Sequence, residues 1–136
     1  MTEEYRGSCV CGSIEFTVRS KPEATLVCYC TDCRKGAGHL GQVLAKYETS
    51  KVEIQDKNSS MKEYTITKTQ SGFPKKKLFC GECGCSILTK PMKHNGEVTF
   101  LRSTLLDNSF GDFIPKKAIF GDVKQGFVDG AQCEYL

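Results

Sequence analysis

A mainly β fold is expected from three features of the sequence. Short apolar runs alternate with polar residues at the period of two that marks half-buried strands. Turn signals separate the runs, as at Gly72-Phe73-Pro74 and His94-Asn95-Gly96. No long stretch carries the 3.6-residue apolar period of a helix, so antiparallel sheets are the natural architecture.

Taken in chain order, Ile14, Phe16 and Val18 form the first clear alternation. Similar runs follow at Leu40 to Ala45, Val52 to Ile54, Tyr64 to Thr67, Leu78-Phe79, Ile87-Leu88 and Val98 to Leu101. One short helical turn is expected to begin near Thr31-Asp32. The loop-like Asp56-Lys57-Asn58-Ser59-Ser60 is too short for an interdomain linker and no internal repeat appears, so residues 1–136 read as one domain.

Composition limits the function. With 39% hydrophobic residues, eight phenylalanines, five tyrosines and no tryptophan, the core is modest and cross-links would help it. Nineteen basic residues against 16 acidic ones give a net charge of +3, too little to predict nucleic acid or an anionic membrane as a partner. The opening Met1-Thr2-Glu3-Glu4-Tyr5-Arg6 has acids where a secretion signal has bases. No segment approaches the ~18 apolar residues of a membrane helix. A cytoplasmic protein is therefore expected, with the nucleus also open. In a reducing compartment, nine cysteines point to metal rather than disulfides, and the odd number fits.

Seven cysteines fall in three groups: Cys9-x-Cys11, Cys28-x-Cys30-x-x-Cys33 and Cys80-x-x-Cys83. In an extended chain, residues i and i+2 point the same way, so Cys9 and Cys11 can offer two sulfurs to one ion, and Gly12 suits a change of facing before Ile14. Cys80-Gly81-Glu82-Cys83-Gly84 wraps a tight turn in which Gly84 permits a positive φ. The two pairs together make the four thiolates of a closed structural zinc site. A different division of ligands among the groups also satisfies the spacing.

Cys28, Cys30 and Cys33 supply three ligands within six residues, the number that leaves a fourth zinc position open for catalysis. Completion by Cys85, Cys133 or His39 would close that site instead. Zinc with three thiolates carries a net charge near −1, which disfavours water activation and favours a soft thiol as the fourth ligand. Arg34 and Lys35 can offset this charge or simply face solvent. Lys75-Lys76-Lys77 reads as a solvated strand end, with carboxylate or phosphate binding as the alternative. His39 and His94 read as loop residues rather than ligands, His94 within a hairpin turn, and Cys133 reads as a free thiol.

Gly7-Ser8-Cys9-Val10-Cys11-Gly12-Ser13-Ile14-Glu15-Phe16, Cys28-Tyr29-Cys30-Thr31-Asp32-Cys33-Arg34-Lys35 and Phe79-Cys80-Gly81-Glu82-Cys83-Gly84 form an ordered set. It resembles the glutathione-dependent formaldehyde-activating enzyme family, which includes centromere protein V. Ser71-Gly72, Leu106-Asp107, Phe113-Ile114-Pro115 and Val128-Asp129-Gly130-Ala131 look like later landmarks, especially of fungal members. The resemblance implies a β-tent fold and two zinc ions per chain. One is structural, at Cys9, Cys11, Cys80 and Cys83; the other is catalytic, at Cys28, Cys30 and Cys33. It also implies condensation of glutathione with formaldehyde to S-hydroxymethylglutathione, a carbon-sulfur lyase reaction in reverse. Three residues depart from the family pattern. Tyr29 stands where histidine is frequent, Thr104 where glycine is frequent near a loop expected at the site, and Cys85 adds a thiol.

The leading expectation is therefore a zinc enzyme joining glutathione, or a similar thiol, to formaldehyde or a small carbonyl. The alternatives are a zinc enzyme acting on another thiol adduct or an imine-like carbon, and a non-enzymatic zinc-stabilised protein-binding module.

Overall fold

In the computed structural model, which describes residues 3–108 and 110–128, two sheets account for the strands. The chain runs β1 (Tyr5–Ser8), β2 (Ile14–Val18), β3 (Ala24–Cys28), α1 (Thr31–Ala37), β4 (Gln42–Glu48) and β5 (Val52–Asp56). It continues through β6 (Met61–Ile66), β7 (Lys75–Cys80), β8 (Ser86–Pro91), β9 (Val98–Leu101) and β10 (Lys117–Ile119), with short 3-10 turns between. One sheet has the order β1-β2-β5 and the other β10-β3-β4-β9-β8-β7-β6. Among the described residues, no helix is long and apolar enough to cross a membrane.

The expected antiparallel pairing holds with one exception. β10 lies parallel to β3, with Lys117 opposite Leu26 and Ile119 opposite Cys28. A parallel partner must return by a long connection, and the chain between β9 and β10 supplies it. β10 is an exposed edge strand of three residues, too short to show a period in sequence.

Alternation explains how the larger sheet serves two environments. From β4, Ala45 and Tyr47 pack with Ile14, Phe16 and Val18 of β2 in the core between the sheets. Leu44 points to the opposite face and joins Leu26, Cys28, Cys30 and Cys33 in a second cluster. The period of two thus divides one strand between the structural core and the candidate site. The core accommodates a polar group where a partner is present: the buried Tyr47 hydroxyl donates to the Ser20 carbonyl at 2.8 Å. Gly7 marks a close approach, since a Cβ there would lie 2.4 Å from Phe16 Cζ and 2.5 Å from the Leu105 carbonyl oxygen.

Asp56 carries the chain between sheets. Its carboxylate accepts from the Ser60 and Met61 backbone N–H groups at 2.8 and 2.9 Å. The Ser60 carbonyl then accepts from Gly81 N–H at 2.7 Å, bracing the turn that bears Cys80 and Cys83.

Candidate functional site

The first cysteine group does not sit in extended chain as the i, i+2 argument supposed. Cys9 to Gly12 form a turn, closed by Gly12 N–H donating to the Cys9 carbonyl at 3.2 Å, with Gly12 at φ +80°. The turn still brings both sulfurs to one side, because curvature over two residues can do what extension does. Gly12 ends it where a change of facing was expected. The second turn is its counterpart: Gly84 has φ +77° and donates to the Cys80 carbonyl at 2.8 Å.

These turns bring Cys9, Cys11, Cys80 and Cys83 together, their sulfurs all within 4.8 Å of one another. Cys9 lies 3.6 Å from Cys11, and Cys11 lies 3.7 Å from Cys80 across 69 residues of sequence. A tetrahedral zinc shell with Zn–S ~2.3 Å has sulfur-sulfur edges of about 3.8 Å, so these separations fit an ion at the centre. Backbone donors aim at the sulfurs, Ile14 N–H at Cys9 (3.4 Å) and Glu82 N–H at Cys80 (3.3 Å). Such donors favour thiolate over thiol. The Ser13 hydroxyl and backbone hold the Cys11 thiol down, to about 6.

The middle group is assembled by a strand and a helix. Cys28 ends β3, Cys30 sits just before α1, and Cys33 lies on the first turn of α1. All three are buried, with sulfurs within 4.8 Å of one another and Cys28 to Cys30 at 3.3 Å. Crowding and burial oppose their ionisation. The hydrogen bond with Cys30, followed by burial, pushes Cys28 up to about 11. Cys33 is pushed up to about 12 by its contact with Cys28 and by burial. The contact with Cys28 favours Cys30 as a thiolate, but Cys33 and burial outweigh it and raise that thiol to about 12. Three adjacent buried thiols cannot ionise together without positive charge among them, so the donor set fits a divalent soft cation.

Among the described residues, Lys75 brings a positive charge to this cluster. Lys75 Nζ lies 3.5 Å from Cys33 Sγ and 3.9 Å from Cys30 Sγ, and pairs with the Asp32 carboxylate. Both side chains are largely buried, at 15% and 13% exposure. Burial alone would lower the Lys75 ammonium, but Cys33, Asp32 and Cys30 raise it above its ordinary value and keep it charged. Cys30 Sγ is also 3.2 Å from Asp32 Oδ1.

Lys75 corrects two expectations. The Lys75-Lys76-Lys77 run is not a uniformly solvated strand end, and among the described residues the cationic contact with the sulfurs comes from Lys75, not from Arg34 or Lys35. Strand parity is the cause, once packing between the sheets sets which face is the core. Cys80 and Leu78 face the intersheet core, so Lys75 and Lys77, of opposite parity, face the other side. Lys76, on the same face as Leu78, pairs with Glu63 of the neighbouring strand at 3.7 Å.

A cavity of about 500 Å³ opens beside Cys28 and Cys33. Lys75 lines it with the apolar Leu26, Leu44, Phe100 and Phe120. His94 lies on its rim, in the 3-10 turn before Asn95 at φ +53°, as a hairpin turn requires. His39 is exposed and outside both cysteine clusters. Tyr29 does not line the cavity; its ring packs near Gly41 and lies under Lys124 Nζ at 5.7 Å. Thr104 is exposed in a turn leading to the Gly7–Leu106 bridge, away from the cavity lining. Cys133 and the landmark residues Asp129, Gly130 and Ala131 lie outside the described residues.

Cys85 joins neither cluster. Its sulfur lies 3.7 Å from the Ser86 carbonyl, and burial raises its thiol pKa. Cys85→Ala is expected to retain the wild-type metal-to-protein ratio and a thermal midpoint close to wild type. Elemental analysis with a thermal melt checks this, and loss of one metal would make Cys85 a ligand.

Two sulfur clusters on a mainly β frame, one of four donors that is half exposed and one of three that is buried beside a cavity, define a protein able to hold metal ions at two cysteine sites. The chain belongs to the glutathione-dependent formaldehyde-activating enzyme family, whose model matches residues 4–122. A solved structure of a Rhodobacter sphaeroides protein, a structural genomics target, is similar with a TM-score of 0.62. It is 19% identical and the match covers 83% of this chain and 98% of that one, a likeness of fold alone. No curated protein gives a significant sequence match.

Proposed function

We propose that this chain is a zinc enzyme of the carbon-sulfur lyase type, joining glutathione or a similar thiol to formaldehyde or a small carbonyl. Cys28, Cys30 and Cys33 hold the catalytic zinc, and Cys9, Cys11, Cys80 and Cys83 hold a structural one. Residues 1–136 act as one domain, in the cytoplasm or nucleus, on a small-molecule thiol rather than on nucleic acid or membrane. The observation carrying this reading is the contrast between the clusters: four sulfurs form one, whereas three form the other and border a cavity.

Zinc at three thiolates supplies an electrophilic position suited to a thiol as thiolate. Lys75 adds a fixed positive charge beside Cys30 and Cys33, and Asp32 holds that charge in position. The apolar cavity wall limits water around the sulfur and the carbonyl. In the reaction, sulfur bonds to the carbonyl carbon, the C=O π pair moves to oxygen, and the thiol proton ends on that oxygen. Lys75, which lines the cavity beside the sulfurs, is placed to stabilise the oxygen as its negative charge grows.

With cobalt in place of zinc, glutathione should strengthen the sulfur-to-metal charge-transfer absorption, while S-methylglutathione should not. Formaldehyde should also be consumed faster than in an enzyme-free glutathione control. No spectral change, together with a rate equal to that control, would reject the activity. It would leave another thiol, an imine-like carbon or a protein partner.

A further inference from the structure

The cavity beside the three-cysteine cluster is far larger and more apolar than formaldehyde needs. A one-carbon aldehyde displaces no more than a few water volumes of ~30 Å³ each, against about 500 Å³ here. Strand register puts the apolar lining on one face. Leu26 of β3 stands opposite Leu44 of β4, and Phe100 of β9 stands opposite Lys46 of β4. Ile119 of β10 stands opposite Cys28, so this 39% exposed apolar side chain borders the sulfur end of the cavity. Phe120, the next residue, packs against the sulfur cluster and is held at φ +55°. A bulky L residue in the left-handed region carries backbone strain, which here accompanies a ring on the cavity wall. Lys46 and Lys93 line the cavity as well.

Glutathione alone does not match such a wall. Its carboxylates suit Lys46 and Lys93, and Ser71, Thr89 and His94 also line the cavity, but amides set against Leu26, Leu44, Phe100, Ile119 and Phe120 would lose water there without a hydrogen-bond partner on that wall. The apolar surface instead suits a hydrocarbon group attached next to the sulfur.

Building on the thiol-and-carbonyl reading above, we infer that the site takes thiol adducts whose carbon bears an apolar substituent, so that its carbonyl partner is an aliphatic or aromatic aldehyde larger than formaldehyde. The aldehyde RCHO and the thiol give the hemithioacetal S–CH(OH)R. One C–S bond forms, the carbonyl π pair moves to oxygen, the thiol proton ends on that oxygen, and nothing is oxidised or reduced.

The test compares S-methylglutathione with S-hexylglutathione by calorimetry on the zinc-loaded full chain. Each further buried methylene multiplies affinity by roughly four when fully buried, so even partial burial of the hexyl chain should bind it at least ~10-fold more tightly. Phe100→Ala should reduce that ratio several-fold. Ile119→Ser, at a more exposed position, should do the same if the first variant folds poorly. In parallel, hexanal and benzaldehyde should show a larger rate enhancement over enzyme-free glutathione controls than formaldehyde does. Equal affinity for the two thioethers, or a ratio unchanged in both variants, would overturn the inference. If glutathione altered the cobalt spectrum while the hexyl group gained nothing, the inference would fall and the thiol reading would stand. A hexyl preference without any glutathione-dependent spectral change would sustain the apolar chamber and reject the thiol reading.

Discussion

Cys80→Ser should release one metal ion and unfold much of the protein at temperatures where the wild type is intact. The Cys9–Gly12 and Cys80–Gly84 turns meet at their sulfurs, and Cys11 and Cys80, 69 residues apart, lie 3.7 Å from each other. Structural zinc sites contribute about 10–16 kcal/mol in small zinc-dependent folds, comparable with the ~5–15 kcal/mol stability of a whole domain. Loss of one thiolate therefore removes a large part of the stabilisation available. Cys30→Ser should instead empty the second site with a smaller fall in melting temperature. Cys30 lies at the entry to a single seven-residue helix, while β3 and β4 remain paired over five registered positions. Metal content and thermal melts measure both effects, and chelator titration of the wild type should remove the ion at the three-cysteine site first. If both variants lost all metal and unfolded alike, the division into a structural and a catalytic site would be wrong.

Phe113→Ala should destabilise the fold by about 3–5 kcal/mol through the cavity it leaves. Phe113 is fully buried and meets Tyr5 edge to face, with ring centroids 4.9 Å apart. This contact ties the chain after β9 to β1. Only four residues later begins β10, which pairs with β3 and brings Ile119 and Phe120 to the cavity. The substitution should therefore lower the thermal midpoint on the order of 10 °C and also weaken binding at the cavity. Phe113→Leu, which preserves most of the volume, should cost less. A change in midpoint within about 2 °C for Phe113→Ala would show that Phe113 is not an anchor.

Several elements were legible because their signals are local. Ile14, Phe16 and Val18 alternate in sequence and are buried together in β2. Val98 to Leu101 is a strand over those same residues, and Thr31 begins the helix. β1 was missed because Tyr5-Arg6-Gly7-Ser8 carries one large apolar residue, and Gly7 is buried through the close approach of Phe16 rather than through its own side chain. β3 was missed because Thr25 and Leu26 are both buried, so alternation breaks. β10 was missed because all three residues are exposed and its pairing is parallel.

The sequence by itself determined the cysteine groupings, since ligands within a few residues can meet in one turn whatever the rest of the chain does. It also carried the family pattern and the alternation of the main strands. The tertiary structure decided which groups share a cluster, because a contact across 69 residues depends on how the sheets pair and not on spacing. It likewise decided that Cys85 stands apart, that Lys75 points to the sulfurs, and that an apolar cavity flanks three of them. Strand parity says only that two residues face opposite sides. Which side is the core and which is the site is determined by packing between sheets, and that is a property of the assembled fold.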